Sequence, residues 1–130
     1  CRILVMDDDV AILNLMKRML RHSKTEITTT LCGEDAIKEY QINLEQKNPY
    51  TMVILDLTIP GGMGGEEAAA RILQLDPQAQ LIVSSGYAED PILSNHTDYG
   101  FCDVLSKPYT KIAFLDAVGR VVAKQSNNIQ

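Results

Sequence analysis

Cysteine is scarce, basic charge is outweighed, histidine occurs only twice, and no apolar run is long. The three cysteines, Cys1, Cys32 and Cys102, are odd in number and far apart. No C-x-x-C spacing exists for zinc or dithiol chemistry, so a reducing, cytoplasmic setting is expected. Twelve Lys and Arg against seventeen Asp and Glu leave a net charge of −5, which argues against direct nucleic-acid binding. The apolar stretches fall far short of the roughly 20 residues that cross a bilayer, so membrane insertion is not expected. His22 and His96 sit in polar surroundings, match no metal or phosphotransfer spacing, and read as surface residues. The glycines Gly61, Gly62, Gly64 and Gly65 are not followed by G-K-[ST], so they read as a flexible loop rather than a phosphate cradle. No internal repeat or low-complexity linker is present. The chain opens at Cys1, almost directly on a strand pattern, and is read as a domain cut from a longer polypeptide without a secretory leader.

At 130 residues the chain fits one domain, 1–130, with ordinary apolar and charged content. Five short apolar runs alternate with helical patterns, which predicts a parallel α/β sheet. Strands are expected at Ile3 to Met6, Ile27 to Leu31, Met52 to Leu57, Gln80 to Ser85 and Phe101 to Ser106. Helices are expected at Val10 to His22, Gly33 to Gln46, Glu66 to Leu75, a weak polar one from Pro91 to near Gly100, and a last one capped by Thr110. That last helix would bury Ile112, Leu115, Val118 and Val122. Right-handed crossovers then give a five-stranded doubly wound sheet of order 2-1-3-4-5, with helices on both faces.

In such sheets functional groups collect beyond the carboxyl ends of the strands. Here those ends carry Asp7-Asp8-Asp9, Asp56, Ser84-Ser85 and Lys107-Pro108. Singly, each has an ordinary explanation: a helix-starting acid cluster, a strand-end cap, a turn, a surface lysine before a rigid turn. Jointly they would be four coincidences at one edge. Converging carboxylates repel by about 4 kcal/mol per close pair at 4 Å and an effective dielectric near 20, so either some stay protonated or a hard cation binds. Oxygen-only ligands on a shallow site suit magnesium better than zinc. Asp56, central in the sheet, is the natural nucleophile for a phosphoryl group. Lys107 and the Ser85 hydroxyl would meet the other phosphoryl oxygens.

At these residues the chain resembles the receiver domains of two-component response regulators. The segments ILVMDDD, VILDLTIPGGMGG, IVSSGYA and LSKPY stand in the family's order and spacing over nearly the whole length. The resemblance implies a flavodoxin-like fold and a phosphoacceptor role for Asp56. It also implies a magnesium ion held by Asp8, Asp56 and the Thr58 carbonyl, with Asp7 acting through water. Lys107 is the family lysine, and its bond to Pro108 is expected to be cis. Ser85, 22 positions before Lys107 and followed by Gly86, is chosen over Ser84 as the switch hydroxyl. The implied phosphodonor is a histidine kinase or phosphotransfer protein, or a small phosphodonor. The domain would not be a conventional enzyme, and phosphorylation-dependent dimers are a further expectation. DLTIPGGMGG with SSGYA most resembles receivers of hybrid sensor histidine kinases, which would tether the domain to a membrane sensor. One residue departs from the pattern: Val104 stands where the family usually has Tyr or Phe, which disfavours an aromatic switch.

Rival readings fit less well. A magnesium phosphohydrolase would want a second Asp where Thr58 stands, and an electron carrier's phosphate loop would be repelled by Asp7, Asp8 and Asp9. A receiver used only for protein contacts would have little reason to keep every acceptor-site residue.

Overall fold

A computed structural model describes residues 1–87 and 89–128. Ala88, expected in the loop that moves with Ser85, lies outside the described residues, as do the last two residues of the 1–130 span. The order is β1 (Arg2–Met6), α1 (Val10–Met19), β2 (Glu26–Thr30), α2 (Gly33–Glu45), β3 (Met52–Asp56), α3 (Gly65–Leu75), β4 (Leu81–Ser85), α4 (Pro91–Ser94), β5 (Asp103–Ser106) and α5 (Lys111–Asn128). The five strands form one sheet of order β2-β1-β3-β4-β5, every neighbouring pair parallel, as the apolar alternation predicts. No helix among the described residues is long and apolar enough to cross a membrane.

Strand alternation divides the core into two layers. Leu4, Met6, Val53, Leu55, Leu81 and Val83 face α2 and α3, where they meet Ala36, Tyr40, Ala68 and Ile72. Ile3, Val5, Met52, Ile54 and Ile82 face α1 and α5, where they meet Leu13, Met16, Phe114 and Val121. β1, β3 and β4 are covered on both faces, which explains their continuous apolar runs. β2 lies at the edge and is only half-buried, which suits its three consecutive threonines.

Three expectations need correction. α1 ends at Met19 rather than His22, because beyond Leu20 the chain tightens into i→i−3 bonds, Arg21 N–H to Arg18 O and Ser23 N–H to Leu20 O. The weak helix is a single α turn, Pro91–Ser94, followed by a 3₁₀ turn, His96–Tyr99, and His96 there is half-buried rather than on the surface. On α5 the buried positions are Phe114, Ala117 and Val121, while Ile112 is 74% exposed and Leu115 and Val122 are each 38% exposed. Val118 alone of the four expected positions packs against the core, and it does so partly. The Thr110 cap is present, its hydroxyl accepting from Ala113 N–H at 3.0 Å.

Candidate functional site

Parallel pairing sets the strand ends side by side. Asp7 follows β1 and continues its ladder by one bond, Asp7 N–H to Thr30 O at 3.1 Å. The three consecutive acids then part company. Asp9 caps α1, accepting from Ala11 N–H at 3.0 Å. Asp7 is 1% exposed and accepts from Asp9 N–H at 2.8 Å, while Asp8 is exposed. Asp56 ends β3 opposite Ser84 in the register, and it is 4% exposed. Its Oδ1 accepts a long bond from Thr58 N–H at 3.4 Å. Beneath it, α3 begins hard against the β3 end: a Cβ at Gly65 would lie 2.7 Å from the Asp56 carbonyl oxygen, so glycine permits this approach.

One oxygen from each of Asp7, Asp8 and Asp56 falls within 4.8 Å of the others. Lys107, just after β5, places Nζ 2.8 Å from Asp7 Oδ2 and 3.3 Å from Asp56 Oδ2. Asp7 Oδ2 is shut off from solvent, with this ammonium as its compensation among the described residues. Burial pushes the Asp56 carboxyl up to about 6; the Asp7 charge adds to the rise, and Lys107 pulls it back. Burial alone would lower the Lys107 ammonium, but the bond to Asp7 and the charges of Asp56 and Asp7 raise it overall. The Lys107–Pro108 peptide is cis, as expected.

A cleft of about 640 Å³ opens over these groups, lined by Asp8, Asp56, Thr58, Ser85, Tyr87 and Lys107 among others. Asp7 lies below it. The two serines separate by strand alternation. Ser85 faces the cleft, and its hydroxyl accepts from Tyr87 N–H at 3.0 Å. Ser84 points to the other face of β4 and hydrogen-bonds the buried Tyr109 hydroxyl. Burial pushes that phenol up to about 12, against the opposing pull of Ser84 and Lys107. Val104 is half-buried against the α2 and α3 layer. The glycine loop is tied to the start of α2 by Gly33 N–H donating to Met63 O at 3.2 Å.

All the site residues read from the sequence, Asp7, Asp8, Asp56, Thr58, Ser85 and Lys107, gather around this one cleft. The donor set is oxygen throughout, and the buried Asp7 Oδ2 has no partner beyond Lys107 among the described residues, which fits a hard cation better than a soft one. Sequence reasoning missed the Ser84–Tyr109 pair. A tyrosine directly after Lys-Pro was the only available signal, and nothing in the sequence says where its hydroxyl points.

Comparison with known proteins agrees with this geometry. A family model described as response regulator receiver domain matches residues 3–119. Protein CcdB of Bacillus subtilis (strain 168) is 30% identical over 121 residues, covering 93% of this chain and 97% of that protein. The chain spans only 17% and 18% of the length of two further curated relatives. A CheY-like receiver domain from Methanospirillum hungatei JF-1 superposes with a TM-score of 0.84 at 22% identity, covering 98% of this chain and 97% of that one. A chain of the CheX-CheY-BeF3-Mg+2 complex from Borrelia burgdorferi superposes with a TM-score of 0.82 at 23% identity, covering 93% of this chain and 88% of that one.

Proposed function

This chain belongs to the response regulator receiver domain family, and from that premise we propose that it is a phosphoacceptor signalling domain spanning 1–130, with Asp56 as the acceptor. The observation that carries the reading is the convergence of Asp7, Asp8 and Asp56 within 4.8 Å, with Lys107 bridging the two buried acids. A carboxylate oxygen of Asp56 attacks the phosphorus of a phosphohistidine on a partner kinase or phosphotransfer protein, or of a small acyl phosphate. The new O–P bond forms as the bond to the imidazole or acyl oxygen breaks, and the donor leaves with the electron pair. Asp8, Asp56 and the Thr58 carbonyl would hold a magnesium ion, with Asp7 reaching it through water, and the ion would supply positive charge against the acids and the phosphoryl group. Lys107 exchanges part of its ion pair with Asp56 for a second phosphoryl oxygen, and the Ser85 hydroxyl turns from Tyr87 N–H to donate to the third. Water later hydrolyses the acyl phosphate slowly, so the domain assists its own modification without turning over a separate substrate.

Adding about two negative charges beneath Ser85 draws the Gly86–Tyr87 segment inward and shifts the short α4 turn. Val104 is stiff at χ1 and small, so the shift is modest, centred on residues 85–106, and read by a partner on that face. The reading places the domain in the cytoplasm, and its DLTIPGGMGG and SSGYA segments resemble the receivers of hybrid sensor kinases. The coding sequence upstream of Cys1 tests that context: a histidine-kinase core there marks a hybrid kinase, and its absence a free-standing regulator.

Incubation with acetyl phosphate and magnesium, followed by intact mass measurement, should show one base-labile phosphate. Chelation of the metal and Asp56→Ala should each remove it. An Asp56→Ala variant modified to the same extent as the parent overturns the assignment.

A further inference from the structure

Lys107 has to hold a flexible four-carbon stem in one place, between Asp7 and Asp56, and the structure anchors its backbone twice. Lys107 N–H donates to the Ser85 carbonyl at 2.9 Å. Two residues on, the Tyr109 hydroxyl pairs with Ser84 Oγ, in a part of the core where Ser84 is 1% and Tyr109 7% exposed. Ser84 is in turn fixed from the other side, its carbonyl accepting from Leu57 N–H at 2.9 Å, next to Asp56. The lysine thus rides on a short segment pinned at both ends to the last two residues of β4. One pin is a backbone bond that any residue supplies; the other needs these two hydroxyls.

We propose that Ser84 and Tyr109 are positioning residues for Lys107, holding its ammonium where it meets both acids and, after transfer, the phosphoryl group. This rests on Asp56 being the phosphoacceptor. Lysine carries high rotamer entropy, so its placement depends on where its backbone is held. With the pin removed, the ammonium samples positions away from the acids. Two consequences of opposite sign follow. Phosphoryl transfer slows, because the cation that meets the developing charge is no longer preplaced. Magnesium binding tightens, because a competing positive charge has left the same carboxylates. A hydroxyl pair that serves only to satisfy two buried groups would produce no such split.

The test uses Tyr109→Phe, Ser84→Ala and Ser84→Thr. Three quantities are measured: the initial rate of phosphorylation by acetyl phosphate with saturating magnesium, magnesium affinity alone by calorimetry, and the metal-free melting temperature. Tyr109→Phe and Ser84→Ala should each slow phosphorylation about tenfold while binding magnesium about threefold more tightly. Ser84→Thr, which keeps the hydroxyl, should stay within about twofold of the parent in both. Parent-like rates in both hydroxyl deletions overturn the proposal. So does a rate loss accompanied by weaker magnesium binding and a lower melting temperature, which marks a structural bond only. If the parent itself takes no phosphate, the acceptor reading fails, and the magnesium arm still decides the positioning role: tighter binding in the deletions supports it and unchanged binding rejects it. Should Tyr109→Phe not fold, the contrast between Ser84→Ala and Ser84→Thr carries the same outcomes.

Discussion

At the amino end of the strands the Arg2 guanidinium meets Glu26 Oε2 at 3.1 Å, Asn43 Oδ1 at 2.9 Å, the Asn48 carbonyl, and the Tyr50 ring face 4.6 Å away. At the carboxyl end Lys107 faces Asp7 and Asp56 together, with Asp8 close by. One cation has an excess of partners; at the other end the acids outnumber their cation. Asn43 and Tyr50 are in turn bonded to Glu39, so the groups around Arg2 form a closed network, although Gln80 Oε1, just before β4, is buried without a partner among the described residues. Closed networks rigidify a fold. A carboxylate group left short of partners is poised to accept a ligand, and its unfavourable energy without that ligand is carried by the rest of the structure.

The largest stability effect should come from Lys107→Ala, which leaves the buried Asp7 without its ion pair. A loss of about 3 kcal/mol is expected in chelator, because breaking a buried pair strands a charge. Magnesium should restore much of it, and denaturant titration with and without the metal measures both. Arg2→Ala should cost somewhat less, about 2 kcal/mol, because Arg2 is partly solvated and its charged partner Glu26 is exposed. That loss should be indifferent to magnesium. A magnesium-dependent rescue of Arg2→Ala would break the contrast between the two ends.

Asp56→Asn should act in the opposite direction. The folded chain holds the Asp56 proton more tightly than the unfolded chain does, since its pKa rises from 3.8 to about 6. This group therefore favours folding fully below the ordinary carboxyl value, and that support is lost as the pH climbs through about 6. At neutral pH without metal, Asn should stabilise the fold by about 2 kcal/mol, with no gain near pH 4. Melting curves across that range measure it; a gain that does not depend on pH would mean that charge is not its cause. The smallest effect belongs to α5, where Ile112→Ser at a 74% exposed position should stay within about 0.5 kcal/mol of the parent in urea unfolding. A loss of several kcal/mol would show that the sequence had the right face of α5 after all.

The last helix shows where reading the sequence fails. Ile112, Leu115, Val118 and Val122 recur at helical spacing, and so do Phe114, Ala117 and Val121. Periodicity alone offers two interleaved apolar stripes, and the aromatic bulk of Phe114 filling the layer under β4 and β5 selects the second. The site residues were easier to read. Each lies within a few residues of the end of a short apolar run, and in a parallel sheet every such run points its end to the same edge. Asp9 is the exception, a strand-end acid absorbed by its own helix as a cap. Arg2 gave no sign of its importance, because its partners lie 24 to 48 positions away.

Which carboxylates, hydroxyls and lysine gather at one edge was therefore determined by the sequence itself, since strand direction and alternation are local properties of the chain. Strand order also followed, from the handedness of crossovers and the resemblance to a known family. Only the tertiary structure decided that Asp7 rather than Asp8 is buried against Lys107, and that Ser84 turns away from the cleft to meet Tyr109. Those choices depend on how segments distant in sequence share one volume, and steric fit and the pairing of buried polar groups settle them only when the packed layers are complete.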